Sequence, residues 1–165
     1  SNKLRIASIK PRIMKLLGNA DVETPSAETR KKVAILGLSF KSMTSDIRES
    51  PSVFIINDLL SEGHIEVCVY DPLFKPSGGK HRRIPAEISK NKNFQVAESV
   101  YDAISQSDIV VIMTNWNEFL SINLKKVREL MNKPPNSKPI ILDYRNMFNP
   151  KSMNPFNYIS QGQRQ

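Results

Sequence analysis

The chain contains one cysteine, Cys68, so no internal disulfide framework can staple it. Its two histidines, His64 and His81, have no Cys or His neighbours at ligand spacing, and no metal site is indicated. No stretch approaches the roughly eighteen consecutive apolar residues that a membrane-spanning helix needs. The opening SNKLRIASIKPR lacks the apolar core of a secretory signal. A soluble, reducing, cytoplasmic setting is the expectation. Glycine is scarce where a nucleotide fold would use it. The stretch GLSFKS after Leu36 lacks the second and third glycines of G-x-G-x-x-G, and it is not a Walker loop.

At 165 residues and 39% hydrophobic content, the chain can bury the core of one domain. Its net charge of +8 favours anionic partners, whether nucleotides, nucleic acid or acidic lipid, and charge alone does not choose among them. The initial Ser-Asn reads as a cloning remnant on a piece of a longer protein.

The most organised stretch runs from Val33 to Asp71. Val33 to Leu38 is continuously apolar, as in a strand covered on both faces. A polar loop follows, holding Lys41, Thr44, Ser45, Asp46, Arg48, Glu49 and Ser50. Pro51 suits a first helical residue with Ser50 as N-cap. Val53, Ile56, Leu59 and Leu60 then recur at helical spacing until Gly63, and IEVCVYDP is a second strand. Such a β-loop-α-β unit places its loop at the carboxyl edge of a parallel sheet, where open α/β folds bind ligands. A helix start with one Lys and one Arg nearby suits a phosphate.

Around this unit, residues 4–17 predict an amphipathic helix interrupted by Pro11, and residues 19–30 a linker. Leu73 to Lys92 has no clear period and predicts a long surface loop. Its Lys80–Arg83 run could touch phosphate but more simply forms a solvated face. Phe94–Val96, Asp108–Thr114 and Pro139–Tyr144 predict further strands, with short helices over 98–105 and 118–131. The Pro134–Pro135 pair ends the second of these. The segment from Asn149 carries little pattern and is expected to wander. The strand ends then bring Phe40 and Lys41, Asp71, Thr114 and Arg145 to one rim.

GLSFKSMTSDIRESPS followed by VYDP resembles the C-terminal domain of the UDP-glucose/GDP-mannose dehydrogenase family, whose segment runs approximately G-L-A-F-K-x-x-T-x-D-x-R-E-S-P. The resemblance implies a Rossmann-like three-layer αβα fold over residues 30–150. A helix from the central linker precedes it in 1–29, and 151–165 form a tail. It further implies that Phe40 and Lys41 contact a nucleotide-sugar. Arg145 matches the arginine of a D-G-R motif that holds the uridine-diphosphate end, a task suited to a planar guanidinium. Tyr144 stands where the family usually has Gly, so its ring must sit beside the nucleotide or turn away. Arg48 reaches the NAD cofactor in the family, or else braces the loop against Asp46 or Glu49. The residue 4–17 helix either packs on this domain or ends a long central helix that contributes to a homodimer.

The family oxidises an alcohol in two hydride transfers through a cysteine-bound thiohemiacetal and thioester. Cys68 is not that nucleophile, because Val67 and Val69 place it mid-strand, where cysteine behaves as a small buried hydrophobe. The family's nucleophile, catalytic lysine and main NAD domain lie in sequence ahead of this one. The chain alone is therefore expected to bind UDP-sugar without redox chemistry. Its expected partners are the other domains of the same enzyme, with no nucleic acid or membrane. A Rossmann-like regulatory or nucleic-acid-binding module using the basic surface is the alternative.

Overall fold

The computed structural model describes residues 2–18, 22–39 and 50–161. Among them, six strands form one parallel sheet: β1 (Lys31–Leu36), β2 (Ile65–Tyr70), β3 (Phe94–Val96), β4 (Ile109–Ile112), β5 (Ile140–Asp143) and β6 (Asn157–Ser160). The order across the sheet is β3-β2-β1-β4-β5-β6, that of a doubly wound dinucleotide-type fold. The apolar runs are central because β1 and β4 must be covered on both faces.

Alternation along β1 divides the core in two. Val33 and Ile35 face one layer with α1 (Asn2–Leu16) and α2 (Pro51–Leu60). Ala34 and Leu36 face the other, with Cys68, Tyr70, α4 (Val100–Ile104) and α5 (Leu124–Leu130). The α/β three-layer expectation therefore holds. Fully buried side chains such as Ile13, Ile35 and Leu59 each contribute about 1.5–3 kcal/mol relative to exposure. Helix α1 belongs to this core: Ile9, Ile13 and Met14 are buried against it, and Lys10 pairs with Glu62 at 2.6 Å. That partly exposed pair contributes at most about 1 kcal/mol.

Two expectations need correction. Residues 73–92 are not a structureless loop but carry helical turns at Pro76–Gly78, Lys80–Arg83 and α3 (Ala86–Ser89). Phe74, Ile84 and Ile88 are buried anchors, too widely spaced to form a period. Nor does the described part of the tail, up to Gln161, wander. Met153 and Phe156 are buried, and β6 then pairs with β5 in register Ile140↔Asn157 through Asp143↔Ser160. Its half-exposed, partly polar sequence takes its order from the edge of β5 rather than from its own pattern. The 118–131 segment, expected as one short helix, is divided in two. A 3-10 turn covers Asn117–Ser121, and Asn123 then caps α5 by accepting from the Lys126 amide at 3.2 Å.

Candidate functional site

The strand order reverses between β1 and β4, and a crevice outside their carboxyl ends is where such sheets bind ligands. The backbone leaving β1 is held there from all sides. Gly37 donates to the Tyr70 carbonyl at 2.8 Å, and the Leu38 amide donates to Asp71 Oδ2 at 2.9 Å. The Ser52 hydroxyl donates to the Gly37 carbonyl at 2.9 Å, Ser50 to that of Leu38, and Thr114 to that of Ser39 at 2.6 Å. Ser50 does occupy the N-cap position of α2, yet its hydroxyl serves the β1 exit rather than the helix amides. Gly37 has φ +103°, and a Cβ there would lie 2.2 Å from Thr114 Oγ1, so only glycine fits.

These bonds reassign two residues expected at the rim. Asp71 is fully buried and accepts from Leu38, from the Leu73 amide at 2.9 Å and from Trp116 Nε1 at 3.1 Å. Thr114 is likewise buried, and its hydroxyl is spent on Ser39. Both hold the site's frame rather than face a ligand. Trp116 thereby ties the β4 exit to Asp71. Phe40, Lys41, Asp46, Arg48 and Glu49 lie outside the described residues, in the loop that leaves this frame.

Arg145 does stand at the β5 exit, on a turn built by its own motif. Asp143, fully buried, accepts the Arg145 amide on Oδ1 at 2.8 Å. Its Oδ2 accepts the Met147 amide at 2.8 Å and the Tyr158 hydroxyl at 2.7 Å. Asn146 completes the turn at φ +53°, a left-handed conformation that Asn tolerates. Burial, then the hydrogen bond to Asp143 and its charge, push the Tyr158 phenol pKa well above the ordinary range. Strand β6 is thus bonded to the turn that carries Arg145.

Between these exits lies a cleft of about 430 Å³, walled by α1, the start of α2 and the ends of β1, β4, β5 and β6. Among the described residues Arg145 and Arg12 supply its cations, and Ser39, Ser52, Ser160 and Tyr144 are among its polar walls. No Asp or Glu among the described residues lines it. Tyr144 packs half-buried against the α1–α2 side of the core and forms part of the cleft wall, which answers where its ring goes. Burial raises its phenol pKa, while the nearby Arg12 charge draws it down. An anion with hydroxyl-bearing groups suits this lining. Sequence reasoning missed Arg12, whose only signal was a cation on a helix otherwise turned to the core. It also missed Ser160 and Gln161, which reach the cleft through the unforeseen β6. The Lys80–Arg83 run does not line the cleft. Among the described residues there is no cluster of His, Cys, Asp and Glu that could hold a metal, and no helix is long and apolar enough to cross a membrane.

Residues 34–150 match the model of the UDP binding domain of the UDP-glucose/GDP-mannose dehydrogenase family. The chain belongs to that family. It is 32% identical to the UDP-glucose 6-dehydrogenase of Rickettsia conorii over 99% of this chain and 34% of that protein. It is 31% identical to the Pseudomonas aeruginosa enzyme of the same name, over 80% of this chain and 27% of the other. The chain thus spans about a third of the length of the first of these relatives. In three dimensions it is similar to a UDP-D-ManNAc dehydrogenase from Pyrococcus horikoshii, with a TM-score of 0.64 at 23% identity, covering 96% of this chain and 31% of that one. It therefore corresponds to the UDP-binding, C-terminal domain of the nucleotide-sugar dehydrogenases.

Proposed function

We propose that this chain forms the substrate-binding side of an NAD-dependent nucleotide-sugar 6-dehydrogenase that oxidises a UDP-hexose or UDP-N-acetylhexosamine to its uronic acid. The observation that carries the reading is the cleft at the β1/β4 switch point, where no described residue is acidic and Arg145 is held in the wall by Asp143. Arg145 grips the diphosphate through its planar fork, and Phe40 and Lys41 contact the nucleotide-sugar from the loop after β1.

The described residues do not make a dinucleotide cradle. The β1 exit lacks the three-glycine turn. NAD accordingly belongs to the remaining two-thirds of the enzyme, together with the nucleophile, and Arg48 reaches toward it from this side. When bound, NAD supplies the hydride acceptor. This chain's own residues bind, orient and neutralise the substrate's phosphates. The whole enzyme works in the cytoplasm as a homodimer joined through the central helix of which α1 is the end. It has no nucleic-acid or membrane partner.

The chain alone, given UDP-glucose and NAD, should form no NADH, and co-expression with the upstream half of the enzyme should restore NADH formation. Sustained NADH formation by the chain alone would show that the catalytic machinery has been assigned to the wrong part. A restored complex that oxidises no UDP-sugar would overturn the proposed activity.

A further inference from the structure

Helix α1 lies outside residues 34–150, the span that matches the family's UDP binding domain, yet it builds one wall of the cleft. Its apolar face explains why it docks, since Ile9, Ile13 and Met14 are buried in the core. That packing does not explain Arg12. The Arg12 side of the helix is exposed, and the residue lines the cleft together with Arg145. Among the described residues Arg12 enters no ion pair, whereas Lys10 on the same helix is paired with Glu62. Arg12 and Tyr144 both line the cleft, and the Arg12 charge draws the Tyr144 phenol pKa down against the effect of its burial. A second cation in a cleft lowers the energy of a dianion more than that of a monoanion.

We propose that Arg12 is a second diphosphate-binding residue, contributed by α1 from another wall of the cleft that holds Arg145, so that the helix is part of the substrate site and not only a connector. The proposal rests on the diphosphate reading of the cleft. Tyr144, the ring that stands where the family usually has Gly, lines the same cleft beside Arg145.

The test is calorimetric titration of the 165-residue chain with UDP and with uridine, for the unaltered protein and for Arg12→Ala, Lys15→Ala and Arg145→Ala. Lys15 is an exposed cation on the same helix that does not line the cleft, so its variant controls for net charge. Circular dichroism and melting of each variant establish that it is folded. Arg12→Ala should weaken UDP about tenfold or more, the loss expected of a charge-assisted bond, while uridine binding and the Lys15→Ala protein stay unchanged. If Arg145→Ala weakens UDP and Arg12→Ala does not, Arg12 has no such role and the reading of the cleft stands. Equal losses for Arg12→Ala and Lys15→Ala reduce the effect to overall charge and also overturn the proposal. If the unaltered folded chain binds no UDP at all, the reading of the cleft falls, and the role of Arg12 falls with it.

Discussion

The buried carboxylate of Asp143 accepts the backbone N–H of Arg145 at 2.8 Å, so the motif's first residue sets the direction of its third. The same carboxylate also holds the Met147 amide and the Tyr158 hydroxyl. Asp143→Ala would orphan three donors, and a buried unpaired donor costs about 1–3 kcal/mol. We expect a loss of at least about 2 kcal/mol in urea unfolding, with weaker UDP binding. Tyr158→Phe, which removes one donor and leaves the two amides paired, should cost only about 0.5–1.5 kcal/mol. Equal stability of Asp143→Ala and the unaltered chain would contradict this ordering.

Gly37→Ala should be among the most damaging single changes at the site. The residue has φ +103°, and its new methyl would meet Thr114 Oγ1 at 2.2 Å, Thr114 Cβ at 2.3 Å and the Thr114 amide nitrogen at 2.6 Å. Strain and overpacking together should exceed about 3 kcal/mol. Trimming the neighbour with Thr114→Ala should not rescue it, because the Cβ and backbone nitrogen of residue 114 remain. A double variant as stable as Thr114→Ala alone would show that the β1 exit yields more than its geometry implies.

The strands most fully legible in the sequence were those buried on both faces. Their buried runs VAIL, VCVY and IVVI had to be apolar throughout, whatever surrounded them, and that requirement is written locally. Strand β6 was not legible, since NYIS has no pattern until β5 offers it an edge and Met153 and Phe156 anchor the approach. The site divided in the same way. Arg145 was legible because its strand exit and motif coincide. Asp71 and Thr114 were read as rim groups, but the chain passing between them turns both inward to hold the β1 exit. Arg12 was out of reach because its role depends on how α1 docks, which follows from long-range packing of Ile9 and Ile13.

Cys68 lies in the sheet at 5% exposure, and burial pushes its thiol pKa above the ordinary 9.0. A protonated, shielded thiol is a poor nucleophile. Labelling by a thiol reagent at neutral pH should therefore be slow and should accelerate with urea as the sheet opens. Cys68→Ser should cost about 1–3 kcal/mol for burying a hydroxyl, with UDP binding unchanged. Fast stoichiometric labelling of the folded chain would contradict the placement.

Alkaline pH should destabilise the domain. Burial is the first cause of the raised pKa at Cys68, Tyr70, Tyr144 and Tyr158, and hydrogen bonds to Glu118 and Asp143 add to it at Tyr70 and Tyr158. Above the ordinary values of 9.0 for the thiol and 10.0 for the phenols, the unfolded chain releases protons that the folded chain retains. The unfolded state then binds fewer protons, and stability falls as pH rises. The contribution of these groups is fully present below pH 9.0 and is lost through and above 10.0. Melting temperature should follow that course, and Tyr70→Phe with Tyr158→Phe should flatten the decline. A melting temperature that stays level above pH 10.0 would refute this linkage.

The central claim is that the cleft beside Arg145 binds the diphosphate of a nucleotide-sugar. Isothermal titration of the folded chain with UDP, beside the Arg145→Ala protein, tests it most directly. Saturable one-to-one binding should be weakened by about 1.5–3 kcal/mol in the variant, the range for a hydrogen bond to a charged group. Unchanged UDP affinity after loss of the guanidinium, or no binding to the folded chain at all, would contradict the claim.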